Sequence, residues 1–194
     1  MKRRFTALAL LAVTHCTEPA SESDDATLGA HVHAREVTPN MPQVPEVAGE
    51  RDKGLFPHLF VVRKGPHALE WLADGTAVAH GDLVQVGYVA AGHTRGVIVS
   101  IDGRGQVTLH HPAAPDLPPR LQPRGRQPLS FAFELDDAQA FERFVFVAAA
   151  DDALTPARVL EAAHQVADGR SDAATARLPL PSTWHQSSVL LRKR

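Results

Sequence analysis

The stretch Val97–Pro112, VIVSIDGRGQVTLHHP, decides how the middle of this chain folds. Two runs rich in β-branched residues flank Gly103-Arg104-Gly105, which suits a three-residue hairpin loop with Gly105 in the left-handed conformation. A two-residue loop would shift the pairing by one position and mix the apolar and polar faces. The three-residue loop predicts that Ile101 lies opposite Val107, Ser100 opposite Thr108, Val99 opposite Leu109, Ile98 opposite His110 and Val97 opposite His111.

Two chemical interpretations compete with the hairpin. A dinucleotide-binding loop needs a third glycine that opens a helix, whereas here a strand follows Gly105. A metal site at His110-His111 is disfavoured because neighbouring residues on a strand point to opposite faces. We therefore predict a hairpin with no metal ligand, no cofactor-binding residue and no catalytic residue.

The segments on either side of the hairpin have the composition of further strands. They are Leu59–Val62, the run LVQVGYVAAG after Gly81-Asp82, the pair SFAFELDD and FERFVFVAAA, and Ser187–Leu191. The pair holds most of the phenylalanines, and large aromatic side chains contribute strongly to a protein core. The pattern predicts a mainly β protein in which two sheets close over a phenylalanine-rich interior.

One helix is predicted near the C-terminus. Thr155 is a suitable N-cap, Pro156 suits the first turn, and Gly169 can end the helix. Apolar residues recur on one side of it, which predicts that this side packs on the rest of the domain: Val159, Leu160, Ala163, Val166 and Ala167.

Acidic and histidine residues offer few candidates for catalysis. Glu134 and Asp136 share a strand face that we expect to meet solvent, where burial cannot separate their pKa values as an acid–base pair requires. His185 lies close to Ser187 and Ser188, but the chain lacks the Gly-x-Ser-x-Gly elbow. We expect that the protein is not an enzyme.

Prolines and arginines mark the segment PAAPDLPPRLQPRGRQPLS from Pro112 to Ser130. Repeated prolines disfavour regular structure, and a loop this long is either functional or mobile. Arg120, Arg124 and Arg126 predict a partner-binding loop that meets an acidic partner. The alternative is a solvated crossover between the two sheets.

The N-terminal residues resemble an export signal. Met1–Arg4 is basic and Phe5–Thr14 is apolar, but this run is shorter than the roughly 20 residues that cross a bilayer. The only cysteine, Cys16, follows in a setting similar to a bacterial lipoprotein box. We predict a signal peptide at 1–15, a disordered tether at 16–53 beginning at a lipidated Cys16, and a β-sandwich domain at 54–194. A secreted soluble protein is the alternative.

The tether contains His31 and His33, which we interpret as solvated side chains, with a weak metal contact as the alternative. The formal net charge is −2, whereas nucleic-acid-binding domains are usually strongly basic, so no nucleic-acid partner is expected.

Several of these segments together resemble the ActD-like proteins of bacteria. The likeness covers Leu55–Lys193 and rests on the Gly81-Asp82 strand opener, the Ile101-Asp102-Gly103 hairpin, the proline after the next strand and the turn Glu134–Asp137. That family is related to an uncharacterised extracytoplasmic domain of bacterial signalling proteins. The resemblance implies an immunoglobulin-like antiparallel β-sandwich, exported and associated with regulation or the cell envelope. It supplies no catalytic residues to transfer.

These observations predict a non-enzymatic envelope lipoprotein, held at a membrane in the periplasm or outer membrane by its lipid. Its role would be that of a sensory or regulatory accessory that binds another envelope protein. A small-ligand or glycan-binding domain is the alternative. A metalloprotein is less favoured, because the 11 histidines show no zinc-ligand spacing.

Overall fold

A computed structural model describes residues 36–37 (backbone only), 56–65, 67–169 and 172–194. The predicted signal peptide, Cys16, His31 and His33 lie outside these residues. The described elements are β1 (Glu36–Val37), β2 (His58–Lys64), β3 (Leu69–Leu72), β4 (Thr76–Val78), β5 (Leu83–Val89), β6 (Arg95–Asp102), β7 (Val107–His111), β8 (Arg126–Pro128), β9 (Ala132–Glu134), β10 (Phe141–Ala149), α1 (Pro156–Asp168) and β11 (His185–Lys193).

The strands form two sheets that pack as a sandwich, as the sequence predicts. The first sheet has the order β1-β9-β5-β2-β3, with β8 also paired to β5, and the second has the order β4-β11-β10-β6-β7. Neighbouring strands are antiparallel except β4 and β11, which run parallel. Within the predicted tether, Glu36–Val37 pairs with β9.

The loop of the β6–β7 hairpin is the predicted one. Gly105 has a φ of +85°, which glycine adopts without steric cost. The Asp102 carboxylate accepts hydrogen bonds from the backbone N–H groups of Arg104 and Gln106, at 2.9 and 2.8 Å. The three pairs nearest the loop, involving Ile101, Ser100 and Val99, have the expected partners.

The two predicted pairs farthest from the loop are wrong. Ile98 pairs with His111, because a register shift between Ile98 and Val99 leaves His110 as an extra residue on β7. Such a β-bulge interrupts strict alternation. The ring of His110 therefore stacks on Phe133, and the ring of His111 contacts Tyr88, with both aromatic partners in the core between the sheets.

Phenylalanines dominate the core between the sheets, as predicted. Phe144 and Phe146 on β10 are fully buried and meet Phe133 and Tyr88 from the first sheet. A second core lies on the opposite face of the second sheet, where Val97, Val99, Ile101, Val145 and Val147 pack under α1. Since both faces of this sheet are buried, β6 and β10 are apolar along nearly their whole length.

Helix α1 has the predicted boundaries and buried side. The Thr155 side chain accepts a hydrogen bond from the Arg158 N–H at 3.4 Å, and the helix ends before Gly169, whose φ of −68° is right-handed. Val159, Ala163 and Ala167 are buried against the second sheet. The helix thus adds a third layer to the sandwich.

Candidate functional site

One candidate site is a polar cleft at the hairpin end of the sandwich. It encloses about 40 Å³, enough for a few water molecules at most. Side chains of β6, β7, β9 and β10 line it together with the corner after β9, and the polar ones among them are Ser100, Asp102, Gln106, Thr108, His110, Glu134, Asp136 and Glu142.

His110 forms the inner wall of the cleft. His110 is 5% exposed, and its ring lies 4.8 Å from the Phe133 ring and 5.5 Å from the Phe144 ring, measured between centroids. Its Nε2 is 2.9 Å from the Ser100 hydroxyl. Burial lowers the pKa of His110 to about 4, because the charged form is poorly solvated there. The imidazole is therefore neutral at neutral pH.

A lysine from the last strand neutralises the carboxylates of the cleft. Lys193, whose side chain is 4% exposed, places Nζ 3.3 Å from Glu142 Oε2 and also forms an ion pair with Asp136. Burial raises the pKa of Glu142, and the Lys193 charge and a Ser100 hydrogen bond oppose this rise. Burial also tends to raise the pKa of Asp136, but hydrogen bonds from Lys193 and the Ala138 N–H outweigh it and lower this pKa below its ordinary value.

The Ser100–His110 pair lacks the geometry of a catalytic triad. Ser100 is only 2% exposed on β6. The neighbouring carboxylate, Glu142, hydrogen-bonds to the serine, whereas a triad carboxylate orients the histidine. In the described part of the chain, every buried side-chain nitrogen and oxygen has a hydrogen-bond partner. The cleft is thus a closed polar network that joins β11 to β6, β7 and β10.

The carboxylates that the sequence singled out occupy different environments. Glu134 is exposed, as expected, but Asp136 is only partly exposed and is held by Lys193. Near His185, the Ser187 hydroxyl accepts a hydrogen bond from the Leu59 N–H at 3.0 Å, which joins β11 to β2. Nowhere in the described residues do three or more His, Cys, Asp or Glu side chains form a group that could hold a metal ion.

A second candidate site lies at the opposite end of the sandwich, along the proline- and arginine-rich segment. The backbone binds this segment to the β5–β6 connection: the Gly92 N–H donates to the Pro123 carbonyl, and the Leu121 N–H donates to the Thr94 carbonyl, both at 2.9 Å. Leu121 and Leu129 are buried in the core between the sheets. The segment thereby closes this end of the sandwich.

Two of the three predicted partner-binding arginines project from this closure into solvent. Arg120 lies between buried Pro119 and buried Leu121, and both Arg120 and Arg124 are exposed. Among the described residues, no carboxylate forms an ion pair with either guanidinium.

Arg126 has a different position. Its guanidinium lies over the Trp71 ring, 5.0 Å from the centroid, while the Phe60 ring contacts Trp71 at 5.2 Å. Phe60 covers Gly87, where a Cβ atom would come within 2.2 Å of the Phe60 ring. Arg126 therefore belongs to an aromatic cluster on the outer face of the first sheet, in which Trp71 is 48% exposed.

A groove of about 400 Å³ lies beside Arg120 and is lined by Thr94, Arg95, Arg120 and Leu121. Arg95 and Arg120 face each other across an isolated antiparallel bridge. Arg95 also forms an ion pair with Asp152, whose side chain is 86% exposed. This groove, with one guanidinium paired and the other open to solvent, suits an anionic group.

The comparisons with known proteins give no relative. No family model matches this chain, and no curated protein or solved structure matches it either. Among the described residues, no helical segment has the length and apolar content needed to cross a bilayer.

Several residues of these sites could not be identified from the sequence. Asp102 and Glu142 are direct cross-strand partners, and each is a carboxylate at the end of an apolar strand, which is the only local signal they offer. Lys193 and Asp152 reach their partners through the tertiary fold, so nothing in their own segments indicates the ion pairs.

Proposed function

We propose that this chain is a non-enzymatic lipoprotein of the bacterial cell envelope, anchored through Cys16, whose sandwich binds an acidic region of another envelope protein. Its role would be that of a sensory or regulatory accessory. The observation that carries the proposal is the pair of exposed arginines, Arg120 and Arg124, on a segment fixed by backbone hydrogen bonds. The ActD-like resemblance and the immunoglobulin-like character that it implies belong to the same proposal.

Physical chemistry favours a protein partner for this surface. Arginine and aromatic residues are enriched at protein interfaces and supply much of their binding energy. Charges of one sign on an exposed surface accelerate association with a partner of opposite sign. Because the arginine segment is already ordered by its backbone contacts, little conformational entropy would be lost on binding.

The alternatives find less support in the described residues. Glycan-binding sites present an open aromatic face, but Arg126 lies over the Trp71 ring and Phe60 contacts it. A metalloprotein would need a ligand group, and the described histidines form none with other ligand residues.

The proposal can be tested by cross-linking in bacterial envelopes. The tagged full chain, the double variant Arg120→Glu/Arg124→Glu, and a control with the same charge change at the other end, Arg192→Glu/Arg194→Glu, would be compared. We expect one set of cross-linked proteins with the wild type and the control, and its loss in the first double variant. Equal cross-linking by all three chains would contradict the proposal.

The anchoring part has its own test. Cells expressing the full chain would be fed a palmitate analogue, and the wild type would be compared with Cys16→Ser. We expect label on the wild type alone. Label on both chains, or on neither, would refute a lipid anchor at this cysteine.

A further inference from the structure

The groove beside Arg120 lies at a cross-strand pair of arginines. Arg95 and Arg120 are direct partners in an antiparallel bridge, so their side chains leave the backbone on the same side, with Cβ atoms roughly 5 Å apart. Like charges placed directly opposite each other are destabilising. An anion between the two guanidinium groups would offset both charges.

The backbone around the two arginines is fixed. The Arg120 carbonyl lies 3.0 Å from His111 Nε2, and the Gly96 N–H donates to the Pro119 carbonyl at 2.9 Å. Leu121 is 6% exposed and contributes an apolar floor to the groove. The groove volume of about 400 Å³ lies within the range of sites that hold small molecules or side chains, roughly 300–1,000 Å³.

The chain itself places a carboxylate on one of the two guanidiniums. Asp152 reaches Arg95 from the loop after β10, and its side chain is 86% exposed. Exposed ion pairs contribute little stability because water competes for both charges. A partner carboxylate could therefore replace Asp152, and it could contact Arg120 at the same time, which Asp152 does not do.

We propose that the groove between Arg95 and Arg120 binds a carboxylate side chain of an acidic peptide segment, and that Asp152 is an internal competitor displaced on binding. This inference rests on the proposed function, since it names the point at which the acidic partner docks. Guanidinium groups bind carboxylates with paired, charge-assisted hydrogen bonds, which fits a glutamate or aspartate side chain.

The test measures the binding of a fluorescein-labelled hexaglutamate peptide to the detergent-solubilised full chain by fluorescence anisotropy at low salt. We expect Arg120→Gln to weaken binding about tenfold, whereas Asp152→Asn should tighten it about two- to fivefold by releasing Arg95. The matched control is Asp116→Asn, which removes the same charge from an exposed position on the arginine-rich segment.

Three outcomes would overturn the inference. One is equal tightening by Asp116→Asn, which would show a general charge effect. Another is a peptide affinity that neither Arg120→Gln nor Asp152→Asn changes. The third is the absence of peptide binding together with binding to vesicles containing phosphatidylglycerol, which would make the groove a lipid contact. In each case, cross-linking that still depends on Arg120 and Arg124 would support the proposed binding of an envelope protein. Only the assignment of the groove as its carboxylate site would then be wrong.

Discussion

The pH dependence of folding should be set in large part by His110. Its folded-state pKa is about 4, compared with 6.5 for an unperturbed histidine. The unfolded chain therefore binds a proton at a higher pH than the folded chain does. By linkage, the stability that this group contributes is fully present above pH 6.5 and is lost as the pH falls towards 4.

The size of the effect follows from the same two values. At 1.36 kcal/mol per pKa unit, the interval from 6.5 to about 4 corresponds to about 3 kcal/mol of unfolding free energy, and about 2 kcal/mol of it should be lost by pH 5. Because His110 is 5% exposed, screening by water does not reduce this figure. A loss of this size is a large fraction of the stability of an ordinary domain, about 5–15 kcal/mol.

Urea unfolding of the wild type and His110→Gln at pH 7.5, 6 and 5 measures this contribution. We expect the variant to be less stable at pH 7.5, because it loses packing against Phe133 and Phe144, and to close the gap by about 2 kcal/mol at pH 5. Glu142 titrates in both chains, so its contribution cancels in the comparison. His164→Gln, at an exposed position on α1, serves as the control. The idea of a neutral, buried His110 would be refuted if the difference in unfolding free energy between wild type and His110→Gln stayed constant with pH. It would also be refuted if the difference between the wild type and His164→Gln changed with pH by the same amount.

Three further predictions concern other parts of the fold. Replacing Arg143 with Met removes the donor to two backbone carbonyls of the loop after α1 and should speed trypsin cleavage at exposed Arg177; an unchanged rate would contradict this anchoring role. Ala140 has a φ of +71°, so Ala140→Gly should raise the unfolding free energy by about 0.5 kcal/mol, and Ala113→Gly should not. Burial raises the pKa of Glu142, so its stability contribution is greatest below the ordinary pKa and is lost as pH rises. In urea unfolding, Glu142→Gln should therefore become more stable relative to the wild type as the pH rises from 4 to 7. A decrease in its relative stability over this range would contradict the raised pKa of Glu142.

Most of the fold could be predicted from the sequence because hairpin loops, strand alternation and helix caps depend on residues that are neighbours in the chain. The glycine at position 105 and the alternation around it predict the hairpin loop, and Thr155 with Pro156 predicts the start of α1. The same alternation rule fails at His110, where a bulge adds one residue. A bulge is selected by how the strand packs on the other sheet, so the sequence of β7 alone could not reveal it.

The candidate sites were harder to predict, for the same reason. Arg120 and Arg124 could be found because arginines among prolines indicate an exposed irregular segment. The cleft could not, because the Glu142 side chain becomes largely buried only when the first sheet covers the face of β10 that also carries Phe144 and Phe146. The lysine that neutralises it, Lys193, lies 51 positions away in the sequence, and β11 and β10 must pair before the two meet.

Each end of the sandwich holds a like-charged cross-strand pair, and the two pairs differ in how their charges are compensated. At the hairpin end, the buried Lys193 pairs with both Glu142 and Asp136. A buried pair of this kind can specify one strand register over others. At the other end, Arg95 and Arg120 are cross-strand partners, and the exposed Asp152 pairs with Arg95 alone. The proposed acidic partner would supply a carboxylate for the Arg120 guanidinium, which forms no ion pair within the described residues.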